Sequence, residues 1–101
     1  MTKVDVEIQG DTFAIKLDGH ATGDEKVCAA ISSLVYALAG YLQNAAQSGD
    51  VKIQSMELKS GEVKIRFRGG REIKAAYEMM IIGLLQLEAE YPKLVSVYLK
   101  S

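Results

Sequence analysis

Twice along this chain the spacing of apolar residues switches from two to about 3.6, and it returns to two at the end. A chain patterned this way is confined to folds that mix strands and helices. Val4, Val6 and Ile8 alternate with Asp5, Glu7 and Gln9. Gly10-Asp11 reads as a turn, and Phe13, Ile15 and Leu17 then alternate with Ala14, Lys16 and Asp18. Strand, tight turn, strand predicts an antiparallel hairpin.

From about Glu25 to Gln47 the period is helical, with Val27, Ile31, Leu34, Val35, Leu38 and Leu42 three or four apart. Asp24 suits the N-cap, Glu25 suits the positive end of the dipole, and Ser48-Gly49-Asp50 stops the helix. Val51 and Ile53, with Met56 and Leu58, suggest a third strand. After the Ser60-Gly61 turn, Val63, Ile65 and Phe67 make a fourth with a basic outer face. Lys64, Arg66, Arg68 and Arg71 read as that solvated face and its exit. A second helix runs from about Arg71 to Glu90, with Ala76, Met79, Met80, Gly83, Leu84 and Leu87 as its apolar set. Ile81 and Ile82 widen that surface, so the helix is buried on more than one side or paired with another chain. Tyr91-Pro92 ends it, because proline disfavours helix at the residue before it. The segment Leu94 to Leu99 alternates once more.

The order ββαββαβ predicts an α+β fold: a mainly antiparallel sheet with two helices on one face. The length fits a single domain over residues 1–101. The net charge of −1 argues against a nucleic-acid partner, since such domains carry a basic patch. No signal-like leader is evident, and the longest apolar run, Met79 to Leu85, is far short of a membrane span. A single Cys rules out an internal disulfide and fits a reducing, cytoplasmic setting. One His and one Cys do not make a tetrahedral zinc site, so no metal and no cofactor is expected.

That one His and one Cys lie eight positions apart, in Gly19-His20-Ala21-Thr22-Gly23-Asp24-Glu25-Lys26-Val27-Cys28. His20 follows a strand end, where a rigid element can position a side chain. Cys28 falls in the first turn of the first helix, where the dipole favours a thiolate and backbone N–H groups can hold an oxyanion. Ser32 shares a helical face with Cys28. In an enzyme, His20 would be base and then acid, with Glu25 or Asp24 orienting it. Residue type alone favours blander readings. A Cys near a helix start is more often a small buried hydrophobe, and a His after a strand is more often a surface or capping residue.

The stretch Gly19-His20-Ala21, an acidic residue three before the Cys, then Val27-Cys28-Ala29-Ala30-Ile31-Ser32, resembles the signature of the ribosomal-processing cysteine protease family, the Prp or YsxB-like proteins. The leading hairpin, the Tyr-bearing apolar helix and Glu90-Tyr91-Pro92 before a last strand are similar to the same plan. The resemblance implies Cys28 as nucleophile, His20 as general base and acid, Ser32, Glu25 and Asp24 in support, and Gly19, Ala21 and Gly23 in the substrate-closing loop. It also implies a homodimer formed through the helices and a protein substrate. That substrate is either the N-terminal extension of ribosomal protein L27 or a phage capsid or scaffold protein. Two features depart from the family. The His-to-Cys loop is shorter and lacks an aromatic and an extra Gly, and Glu25 stands where Asp is usual. The shortened loop leaves a second reading, a non-catalytic dimeric module that binds a peptide or ribosomal protein. A third is a redox-sensing thiol.

Overall fold

The computed structural model describes residues 1–20 and 24–100. The chain runs β1 (Thr2–Gln9), β2 (Thr12–Asp18), α1 (Glu25–Gln47), β3 (Val51–Lys59), β4 (Glu62–Gly69), α2 (Arg71–Glu90) and β5 (Val95–Lys100). The strands form one sheet in the order β3-β4-β2-β1-β5. Every neighbouring pair is antiparallel except β1 with β5, which is parallel. This is the α+β fold that the alternation predicts.

Alternation decides which face is covered. Val4 and Val6, Phe13, Ile15 and Leu17, and Val63, Ile65 and Phe67 are all buried. They stand opposite one another across the β1–β2 and β2–β4 ladders. Both helices contribute to the same core, α1 through Val27, Ile31, Val35, Leu38 and Leu42, and α2 through Ile73, Tyr77, Met80 and Leu84. Where the helices meet, Gly83 brings the α2 backbone against the Leu34 side chain of α1. By length and composition α1 is apolar enough to cross a membrane; in the fold its apolar stripe lies in the core. The opposite sheet face carries Lys64, Arg66 and Arg68, each exposed and ion-paired: with Glu62 at 3.5 Å, Glu7 at 3.6 Å and Asp11 at 2.7 Å. Such exposed pairs contribute little stability, about 0–1 kcal/mol.

Local chemistry fixes the boundaries. The Asp24 carboxylate accepts from the N–H groups of Lys26 and Val27 and starts α1. At the other end Gly49 N–H donates to Ala46 and Asp50 N–H to Ala45, the paired bonds of a Schellman stop. In β3 the pairing steps from Ile53–Phe67 to Ser55–Arg66, leaving Gln54 as an extra residue in a bulge. The bulge turns Met56 and Leu58 to the same face as Val51 and Ile53, which strict alternation would not allow. At the outer edge of β5 the Val97 N–H is met by the Glu88 carboxylate at 2.7 Å, so part of that edge is closed from within.

The buried stripe of α2 differs from the sequence reading. Ile73, Tyr77, Met80, Ile81 and Leu84 are buried, whereas Met79 is 72% exposed. Tyr77 is the centre of that stripe. Its ring packs on Phe13 and Phe67 with centroids 5.3 and 5.5 Å away. Its hydroxyl reaches the backbone of the β1–β2 ladder, donating to the carbonyls of Ala14 and Glu7. Burial holds its phenol well above the ordinary value of 10.0, and the Glu7 charge adds to that.

Candidate active site

Three pieces of backbone converge at one end of the sheet. The first is the exit of β2, which ends at Asp18 and delivers Gly19 and His20. The second is the first two turns of α1, which carry Cys28 and Ser32. The third is the β3–β4 turn, Ser60-Gly61. The register forces the first and third together. Asp18 pairs with Glu62 across the β2–β4 ladder, so the residues just beyond each strand end meet. Gly19 N–H donates to the Gly61 carbonyl at 2.8 Å and closes that junction.

Between these pieces lies a cleft of about 280 Å³. His20, Cys28 and Ser32 all line it, as do Thr2, Tyr36 and Gly61. Cys28 is half-buried, while His20 and Ser32 are exposed. The only thiol and the only imidazole of the sequence therefore share one cleft. The floor is apolar, from Leu17, Ile31, Val35 and Val63 of the core. Its one permanent charge, among the described residues, is Lys59 at the end of β3.

The backbone donors near Cys28 are engaged. Asp24 Oδ1 takes the N–H groups of Lys26 and Val27 at 3.0 and 3.2 Å. The Cys28 N–H donates to the Asp24 carbonyl at 3.3 Å, the first turn of α1. An oxyanion site built from these three amides is therefore not formed in this conformation. Asp24 and exposed Glu25 lie outside the described residues that line the cleft. Gly19 lines it. Ala21 and Gly23, expected in the substrate loop, fall outside the described residues.

Sequence reasoning missed Tyr36, Thr2 and the Ser60-Gly61 turn. Tyr36 is one turn beyond Ser32, and its spacing from Cys28 was a readable signal. Thr2 is 2% exposed, and its N–H is bonded to the Leu94 carbonyl. It reaches the cleft because β1 adjoins β2. The turn reaches it only through the β2–β4 pairing, which no local pattern announces.

Comparisons with known proteins bear on the family and the fold. A sequence model of the family described as cysteine protease Prp matches residues 1–96. A structure of the ribosomal processing protease Prp from S. aureus with a covalently linked product peptide superposes with a TM-score of 0.80 at 20% identity, covering 99% of this chain and 100% of that one. A second structure of that protease, with a substrate peptide, gives a TM-score of 0.72 at 17% identity over 99% of this chain and 100% of that one. SMU.848 from Streptococcus mutans gives a TM-score of 0.72 at 18% identity, covering 100% of this chain and 96% of that one. At these identities the structural likeness speaks for the fold alone. No curated protein matches the chain at a significant level.

Proposed function

The chain belongs to the Prp cysteine protease family, and from that membership we propose that it is an endopeptidase removing a terminal extension from one protein substrate, with Cys28 as nucleophile and His20 as general base and acid. The observation that carries this reading is the shared cleft of the single Cys and the single His. His20 takes the thiol proton, and Cys28 Sγ attacks the scissile carbonyl carbon. The tetrahedral intermediate collapses to a thioester as His20 returns the proton to the leaving amine. Water, deprotonated by the same imidazole, then attacks the thioester and frees the thiol. Ser32 lies one turn along the same face and lines the same cleft, which supports a role for it as hydrogen-bond donor to thiolate or substrate. Asp24 caps α1 through its carboxylate and Glu25 sits in the first turn, so in this reading both support the helix start that carries Cys28.

A peptide substrate is supported by the S. aureus relative, which holds product and substrate peptides in two structures. We assign the substrate to the class of ribosomal proteins with a removable extension, of the L27 kind, or the phage capsid and scaffold proteins. The exposed apolar residues Met79 and Ile82 of α2 support a homodimer formed through the helices. A sequence with a single cysteine suits a reducing cytoplasm.

The test is cleavage of an L27 precursor that carries its N-terminal extension. Wild type is expected to release the extension, and Cys28→Ala to release none above background. Equal cleavage by Cys28→Ala would overturn the reading. Tight binding by wild type without any cleavage would favour the binding module.

A further inference from the structure

The His20 ring rests on the turn between β3 and β4. A Cβ built on Gly61 would overlap His20 Nε2, and it would lie 2.8 Å from Cε1 and 3.0 Å from Cδ2. The imidazole therefore occupies the space that any side chain at position 61 would need. Gly61 has φ of 75°, in the left-handed region, and its carbonyl accepts from Gly19 N–H, next in the chain to His20. One residue thus holds the backbone that delivers the His and also forms a wall for its ring.

We propose that Gly61 is a positioning residue for His20: its bare α-carbon is the seat that fixes the imidazole within the cleft of Cys28. This rests on the Cys28–His20 reading above and adds the element that orients its base. An exposed imidazole on a loop loses rotamer freedom only if something blocks the alternatives. Gly61 supplies that block on the Nε2 side of the ring. A methyl group at 61 leaves the fold intact, because the ring it displaces is exposed and not part of the packed core. The cost is a base displaced from its thiol, and general-base catalysis is steeply sensitive to such displacement.

The experiment compares Gly61→Ala with Gly49→Ala. Gly49 has nearly the same backbone, φ of 79°, but nothing within 4 Å of its built Cβ. The control thus carries the same left-handed strain without the collision. His20 is the only histidine, so its ring protons are unambiguous in an NMR spectrum. The seat predicts that they shift in Gly61→Ala and stay in place in Gly49→Ala, with the two melting temperatures lowered alike. It also predicts that iodoacetamide labelling of Cys28 slows in Gly61→Ala to the rate of His20→Ala, and that the double variant is no slower than either. Unmoved ring signals in Gly61→Ala would overturn the seat, whatever His20 does for the thiol. Moved ring signals with labelling at the wild-type rate would overturn its positioning role. A His20→Ala variant that labels at the wild-type rate would instead overturn the dyad reading, and with it any catalytic consequence of the seat.

Discussion

Asp24 holds Cys28 from two directions: its carbonyl accepts the Cys28 N–H at 3.3 Å, and its carboxylate binds the N–H groups of the two preceding residues, Lys26 and Val27. Asp24, four positions ahead of the cysteine and next to Glu25, is therefore a fixture of the helix start. It aims the first turn of α1 and, through it, the thiol. This gives Asp24 a role at the helix start that does not require it to touch the imidazole.

That account separates charge from capping. Asp24→Ala is expected to lose about 1 kcal/mol of stability, whereas Asp24→Asn should lose almost none, because Asn caps nearly as well. Denaturant unfolding measures both. If the carboxylate worked through its charge on His20, Asp24→Asn would slow Cys28 labelling while leaving stability alone; the cap account predicts labelling close to wild type.

Tyr77 ties α2 to the β1–β2 ladder, and its removal is expected to show at high pH. Tyr77→Phe should cost about 1 kcal/mol at neutral pH through the lost hydroxyl bonds to Ala14 and Glu7. The buried phenol stays protonated where the unfolded chain's tyrosine ionises, at about its ordinary value of 10.0. The native state then binds more protons than the unfolded state, so stability is fully present below pH 10 and falls as pH rises beyond it. Unfolding measured at pH 9 and pH 11 should show a smaller loss in Tyr77→Phe than in wild type. An equal loss in the two proteins would contradict the buried, protonated phenol.

Much of the fold is written locally. The alternation around Val4–Ile8, Phe13–Leu17 and Val63–Phe67, and the helical stripe from Val27 to Leu42, fix the elements because each period matches one backbone geometry. The misread face of α2 has the opposite cause. From Met79 to Leu85 the helix is apolar on nearly all sides, so no stripe stands out, and Tyr77 counts as polar until Phe13 and Phe67 surround it. Met56 and Leu58 needed a bulge to join the core, and a bulge leaves no local mark at Gln54. The cleft divides the same way. His20, Cys28 and Ser32 were legible because they lie on one short stretch at a strand end and a helix start. Gly61 was not, since it joins them through the β2–β4 register, some forty residues along the chain.

The measurement that tests the central claim most directly is the rate of Cys28 labelling by iodoacetamide at neutral pH, in wild type and in His20→Ala. There is one cysteine, so the labelled mass reports one site. A thiol served by a neighbouring imidazole reacts as thiolate, and its loss of that base should slow labelling about tenfold or more. Equal rates in the two proteins would contradict the claim that this cleft joins Cys28 and His20 into one catalytic unit.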